Sequence, residues 1–153
     1  MHERIVIADT SCLIALTNIE AIDILKELYQ EVYITEEILN EFGEAVPDWI
    51  KIEKVKNEKY KKLLEQLLDS GEASAIALAL EYDNVLLVLD DLKGRKEAER
   101  LGFKITGTLG VLFKAKQEGI IKELKLYLER LKHVGFRISE KIENEILKRS
   151  NEK

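Results

Sequence analysis

Acidic residues follow two apolar runs of the chain, at the point where each run ends. Asp9 comes directly after Ile5–Ala8, and Asp90 and Asp91 come directly after Val85–Leu89. Both runs are short and apolar, as expected of strands in a parallel sheet that is covered on both faces. Because open α/β sheets bind ligands beyond the carboxyl ends of their strands, we expect these three carboxylates to converge at one edge of the sheet.

Glutamates on two predicted helices could reach the same edge. Glu72 precedes Ile76 and Leu80 at i+4 and i+8, so its carboxylate shares the apolar stripe and is predicted to point toward the core. A favourable interaction with the helix N-terminus is the competing explanation for an acid at this position. On an earlier helix, Glu36 and Glu41 flank the apolar stripe on either side, and periodicity alone does not choose between them.

Several carboxylates in one crevice repel each other, by about 3 kcal/mol for a pair roughly 5 Å apart at an effective dielectric constant of about 20. A bound cation removes this repulsion. Oxygen ligands suit Mg²⁺ or Mn²⁺, whereas the presence of only two His and one Cys argues against zinc. Such an ion can activate a water for in-line attack on a phosphodiester. The residue types therefore favour phosphoryl chemistry and leave a nuclease, a phosphatase and a phosphate-accepting domain open.

The segments that must position these acids alternate between strand-like and helix-like patterns. Strands are predicted over 5–8, 32–34, 50–55, 85–89 and 103–105, and helices over 22–28, 35–42, 57–68, 72–81, 94–101, 121–132 and 139–149. A further helix begins after Asp9, and another begins at Thr108, which is expected to cap it, and ends at Gly119. Ser70 and Gly71 are expected to break the chain before the helix at 72. This alternation predicts an α/β fold, a three-layer sandwich with a mainly parallel central sheet flanked by helices, in one domain over 1–153.

Composition excludes several classes of protein. Cys12 is the only cysteine among the 153 residues, which rules out an intramolecular disulfide and a cysteine-rich zinc site. No apolar run is long enough to span a bilayer, and residues 1–4 lack the features of a signal peptide, so we expect a cytoplasmic protein with no membrane contact. The net charge of −5 means that any contact with nucleic acid must be local, through basic stretches at 51–62 or 93–100 that are otherwise ordinary solvated helix faces.

The residues around these acids resemble the four acidic motifs of the PIN-domain family, and the likeness covers most of the chain. The matching stretches are, in chain order, 5–14, 35–41, 71–77 and 89–95. The acids that the resemblance selects are Asp9, Glu41 rather than Glu36, Glu72, and one or both of Asp90 and Asp91. Many members have aspartate where this chain has Glu72. The choice within the Asp90 and Asp91 pair stays open because neighbouring strand residues face opposite ways.

The resemblance implies a PIN-like fold and a metal-dependent endoribonuclease that binds Mg²⁺ or Mn²⁺ through these acids and cleaves single-stranded RNA. It also implies supporting or phosphate-contacting roles for Ser11, Thr108, Lys93 and Arg95. Residues 89–95 and 107–110 are most similar to a prokaryotic branch related to the toxin nucleases of toxin–antitoxin pairs, so an antitoxin protein is an expected partner. The apolar positions Ile138, Ile142 and Ile146 could pack on the domain or form part of a homodimer or an antitoxin-binding groove, and a homodimer is also expected. The alternatives are a scaffold with this fold that binds RNA or protein without cutting, a magnesium-dependent phosphatase, and a DNA nuclease. The presence of all four acidic motifs favours the enzyme.

Overall fold

The computed structural model describes residues 5–152, and a five-stranded sheet lies at its centre. The strands, in chain order, are β1 (Ile5–Ala8), β2 (Glu31–Thr35), β3 (Ile50–Glu53), β4 (Val85–Val88) and β5 (Lys104–Thr106). Their order across the sheet is β3-β2-β1-β4-β5, and each neighbouring pair is parallel. The expectation about a signal peptide concerns residues 1–4, which lie outside the described residues.

Nine helices surround this sheet within residues 5–152. They are α1 (Thr10–Asn18), α2 (Asp23–Leu28), α3 (Glu36–Phe42), α4 (Glu58–Leu64), α5 (Ser70–Ala79), α6 (Leu92–Arg100), α7 (Thr108–Gln117), α8 (Leu124–His133) and α9 (Glu140–Arg149). None of the helices in this part of the chain is both long enough and apolar enough to cross a membrane.

Burial of consecutive strand residues shows that helices cover both faces of the sheet. Neighbouring residues of a strand point to opposite faces, yet Val6 and Ile7 of β1 are both fully buried, and so are Leu87 and Val88 of β4. Such strands need helices on both sides. The predicted α/β sandwich is thereby confirmed, and the sheet is entirely parallel within the described residues.

The order of the strands defines where a ligand would bind. The chain passes from β1 to β2 on one side of β1, whereas β4 pairs with β1 on the other side. Adjacent strands whose connections leave in opposite directions open a crevice between their carboxyl ends. Ala8 pairs with Val88, and the ladder continues as the Asp9 amide donates to the Val88 carbonyl at 3.1 Å. Asp9 and the residues that follow β4 therefore lie at this crevice.

Two predictions near the third acidic motif were wrong in detail. The helix predicted over 57–68 ends at Leu64 and continues only as turns, and the next helix begins at Ser70 instead of 72. The cause is Asp69, which has extended backbone and caps α5 by accepting a hydrogen bond from the amide of Glu72 at 2.8 Å. Ser70 and Gly71 therefore lie inside the first turn of α5 and do not break the chain.

The prediction that Thr108 caps a helix was also wrong. Gly107 occupies the cap position of α7 with no side-chain hydrogen bond, and Thr108 is the first helical residue. Its hydroxyl donates instead to Asp90 at 2.6 Å. By contrast, Thr35 caps α3 as expected, since its hydroxyl oxygen accepts from the amide of Ile38 at 3.1 Å.

Candidate active site

Asp9 is a buried carboxylate at the end of β1, where it also caps α1. One of its oxygens accepts from the amide of Cys12 at 2.9 Å and the other from the amide of Asp90 at 3.2 Å. The residue is 4% exposed, and burial, followed by the nearby charge of Asp90, raises the pKa of Asp9 from 3.8 to about 7. The backbone thus fixes the carboxylate in place without supplying a neutralising charge.

Asp90 is fixed by the start of α7. Its Oδ1 accepts from the amide of Thr108 at 2.8 Å and its Oδ2 from the Thr108 hydroxyl at 2.6 Å. The Thr108 side chain is fully buried, so it holds Asp90 in a single orientation beside Asp9. Arg95 lies close by and donates from Nη1 to the carbonyl of Leu89 at 3.0 Å. Thr108 and Arg95 therefore support the loop that follows β4.

Glu72 is the second buried carboxylate. It is 8% exposed, and its Oε2 has no hydrogen-bond partner in the described chain. Burial, followed by the charges of Asp69 and Asp91, raises the pKa of Glu72 to about 8. A Cβ atom at Gly94 of α6 would lie 2.8 Å from Oε2, so a larger residue there would displace this carboxylate. The inward direction predicted for Glu72 is observed.

Glu41 reaches the same region from the last turn of α3. Its Oε1 accepts from the hydroxyl of Thr10 at 2.6 Å, which joins α3 to the first turn of α1. Glu36 is exposed and does not line the cleft, so the side chain that the resemblance selected is the one that faces the other acids. A Cβ atom at Gly71 would overlap Oε1 of Glu41, because α5 passes directly beneath this carboxylate.

Asp91 differs from Asp90 in its surroundings, as expected of neighbouring residues at a strand end. It caps α6, and its Oδ2 accepts from the amides of Lys93 at 3.1 Å and Gly94 at 3.4 Å. Its carboxylate lies near Glu72 and contributes to the raised pKa of that residue. Asp91 therefore belongs to the Glu72 side of the site, and Asp90 belongs to the Asp9 side.

Asp69 is a further acid of the cleft that was not predicted from the sequence. This residue lines the same cleft and contributes to the raised pKa of both Asp9 and Glu72. An Asp three residues before a Glu at the start of an apolar helix is a capping signal, and this signal could have identified Asp69. The adjacent Ser70 and Gly71 obscured this capping signal, because they were predicted to break the chain.

These side chains enclose an open cleft of about 330 Å³. Its lining contains five acids, one lysine, and hydroxyl and apolar groups, namely Asp9, Thr10, Ser11, Glu41, Leu67, Leu68, Asp69, Glu72, Asp91 and Lys93. The structure thus brings together four of the predicted acids with Ser11 and Lys93. Asp90 contacts Asp9 from outside the cleft lining, where Thr108 and Arg95 flank it.

The donors of this cleft fit a hard divalent cation. All of them are oxygens, and burial raises the pKa of the nearby Cys12 thiol far above its ordinary range, so that it stays protonated. The Oε2 atom of Glu72 has no hydrogen-bond partner within residues 5–152, and the raised pKa of Asp9 shows that its charged form is disfavoured without a cation. No three His, Cys, Asp or Glu side chains among those residues are grouped closely enough to hold an ion directly, so the fit rests on donor chemistry and on the unpartnered oxygen.

Comparison with known proteins identifies the family. The family model DUF3368, described as a PIN domain, matches residues 5–152, and the chain therefore belongs to the PIN-domain family. Proteins with this domain are generally nucleases that use divalent metals. No curated protein matches the chain significantly. The family assignment agrees with the resemblance that the acidic motifs indicated.

Proposed function

We propose that this chain is a metal-dependent endoribonuclease that cleaves single-stranded RNA at the cleft beside Asp9 and Glu72. The observation that carries the proposal is the presence of two buried carboxylates, with pKa values raised to about 7 and about 8, on one open cleft. An acid that is neither paired nor exposed costs stability, and a carboxyl group in a cleft with a strongly raised pKa is a candidate functional residue. Membership of a nuclease family supports the same conclusion.

The proposed division of roles follows from the contacts. Asp9, Glu41, Glu72 and Asp91, which line the cleft, would hold Mg²⁺ or Mn²⁺, with Asp90 supporting Asp9. A bound ion of this kind supplies a lowered pKa for an attacking water and stabilises charge on the phosphoryl group. The remaining polar groups act on the substrate or on the ligands. Ser11 and Lys93 line the cleft and would contact phosphate oxygens, and Thr108 keeps Asp90 oriented.

The proposal of RNA as substrate rests on the resemblance, and local charge is compatible with it. The chain as a whole carries a net charge of −5, so a long duplex would meet general repulsion. A single strand needs only a narrow contact. Lys93 at the mouth of the cleft and Arg95 beside Asp90 supply positive charge close to the acids. A non-catalytic scaffold is the competing function, and the retention of buried, unpaired acids at a cost in stability argues against it.

The test is cleavage of a labelled panel of single-stranded and double-stranded RNA and DNA in Mn²⁺, in Mg²⁺ and in EDTA. We expect cutting of single-stranded RNA in either metal, loss of cutting in EDTA, and loss in Asp9→Asn. Glu41→Gln and Glu36→Gln form a matched pair on one helix, of which only Glu41→Gln should reduce the rate. Equal activity of Asp9→Asn or activity in EDTA would indicate a contaminating nuclease, and binding without cutting would support the scaffold.

A toxin-like role is a further part of the proposal, supported by the likeness of residues 89–95 and 107–110 to toxin nucleases. It predicts growth arrest on expression of the unsubstituted chain but not of Asp9→Asn, and relief by a small protein that co-purifies with it. The homodimer also stays a prediction, and light scattering of the purified protein tests it.

A further inference from the structure

Two cavities adjoin the carboxylate cleft on the side of Asp90, and Phe136 and Arg137 line both of them. One, of about 460 Å³, is also lined by Arg95, and the other, of about 410 Å³, is also lined by Ser11. Ser11 lines the carboxylate cleft as well, so the three spaces follow one another along the surface. A polymer that occupies the cleft therefore has a continuation past Asp90.

The turn after α8 determines where Arg137 lies. Gly135 has a φ of +94°, a left-handed conformation that favours glycine, and its amide donates to the carbonyl of Lys132 at 3.1 Å. The next amide, that of Phe136, donates back to the carbonyl of Leu131 at 2.9 Å. This turn ends the helix and directs the chain toward Asp90. Phe136 then packs against the core while Arg137 stays exposed.

Charge along this path changes from negative to positive. Five acids and one lysine line the carboxylate cleft, whereas Asp90 is the only carboxylate among the described residues that line the two side cavities. The oxygens of Asp90 already accept hydrogen bonds from Thr108. Neither Arg95 nor Arg137 forms an ion pair with a carboxylate in the described part of the chain. Two guanidinium groups and one carboxylate thus line the cavity of about 460 Å³, so positive charge is in excess there.

We propose that Arg137, together with Arg95, binds the RNA phosphate that neighbours the scissile linkage on the Asp90 side. This inference rests on the proposed ribonuclease function and names a substrate subsite for it. A guanidinium offers several N–H donors in a plane and binds phosphate oxygens in pairs. Arg95 and Asp90 both approach Gly107, since a Cβ atom there would lie 2.8 Å from Oδ1 of Asp90 and 2.9 Å from Nη1 of Arg95.

The test measures binding of a short fluorescent single-stranded RNA to the full chain in Mn²⁺, with Asp9→Asn present in every protein to prevent cleavage. We expect Arg137→Ala to weaken binding about five- to tenfold. It should also reduce the slope of log Kd against log salt by roughly 0.7, the value for one phosphate contact on a single strand. Arg137→Lys should retain that slope and lose only part of the affinity. The matched control is Arg130→Ala on α8, an exposed arginine that lines a separate groove.

The outcomes separate this inference from the proposed function. If RNA is cut by the unsubstituted chain and Arg137→Ala binds like Arg130→Ala with the same salt slope, the subsite is wrong and the nuclease proposal stands. If the protein that retains Arg137 neither binds nor cuts RNA, the proposed function is wrong and so is the subsite. Arg137→Ala and Arg137→Lys could also lose the same RNA affinity, with lowered thermal stability and an unchanged salt slope. That result would mean that the substitutions disturb the turn after α8, and it would overturn phosphate binding by Arg137.

Discussion

Replacement of Asp9 by asparagine measures how far a buried carboxylate destabilises the metal-free fold. Asp9 is 4% exposed, and burial, followed by the charge of Asp90, raises its pKa from 3.8 to about 7. A difference of about three pKa units corresponds to about 4 kcal/mol at pH values above both. Asparagine offers one acceptor oxygen, so one of the amides of Cys12 and Asp90 loses its partner at a cost of about 1 kcal/mol. We therefore expect Asp9→Asn to raise the free energy of unfolding by about 3 kcal/mol at about pH 8 in EDTA.

The stability gained by Asp9→Asn should become smaller as the pH falls. The folded protein keeps the Asp9 proton up to about pH 7, whereas the unfolded chain releases it near pH 3.8. The folded state binds more protons between these values, so the stability of the unsubstituted protein falls as the pH rises through this window. The advantage of Asp9→Asn should accordingly shrink to about 1 kcal/mol at about pH 5 and be lost as the pH approaches the unfolded value.

Urea denaturation in EDTA, followed by circular dichroism at several pH values, measures both effects. Asp23→Asn is the matched control, because Asp23 is exposed at the start of α2 and a surface change of this kind alters stability by roughly 0.5 kcal/mol at most. An Asp9→Asn protein that is no more stable than the unsubstituted protein at about pH 8 would refute the reasoning that Asp9 is an uncompensated buried charge.

Three further predictions concern the support of the site. Thr108→Val should lower the free energy of unfolding in urea by about 1–2 kcal/mol, because Asp90 loses its hydroxyl donor. Thr108→Ser should keep most of that stability, and equal stability of the two variants would contradict this role of the hydroxyl. Gly71→Ala should displace Glu41 and reduce cleavage roughly 10- to 100-fold while stability stays equal or rises by up to about 1 kcal/mol; unchanged cleavage would contradict the claim that the observed position of Glu41 matters for activity. Mn²⁺ at about 100 times its Kd should stabilise the unsubstituted chain by about 2.7 kcal/mol in thermal unfolding; the same gain in Asp9→Asn would place the ion elsewhere.

Features that follow from the apolar pattern of a single strand or helix could be predicted from the sequence. The apolar runs before Asp9 and Asp90 identified the two central strands, and parallel pairing then required their acids to share one edge. The inward direction of Glu72 followed from its helical stripe in the same way. The apolar pattern of each strand and helix is local in the sequence. Because helices cover both faces of the sheet, the central strands have little freedom in how they pack.

Features that depend on contacts between distant segments could not be predicted from the residues alone. Glu36 and Glu41 flank one helix stripe on either side, and the approach of α1 through Thr10 and of α5 through Gly71 distinguishes them. The hydroxyl of Thr108 could cap its own helix or bind another group, and Asp90 decides the outcome. Arg137 follows a turn whose direction depends on packing of α8, so no pattern in the sequence linked it to the acids.

Single-turnover cleavage by Glu72→Gln tests the central claim most directly, since Glu72 is the buried acid whose Oε2 has no partner in the described residues. The assay compares it, in Mn²⁺, with Glu36→Gln and with the unsubstituted chain on one labelled single-stranded RNA. We predict a loss of about 100-fold or more in Glu72→Gln and no loss in Glu36→Gln, because only the first change removes a charged ligand from the cleft. A Glu72→Gln protein that cleaves as fast as Glu36→Gln would contradict the claim that this carboxylate cluster is the active site.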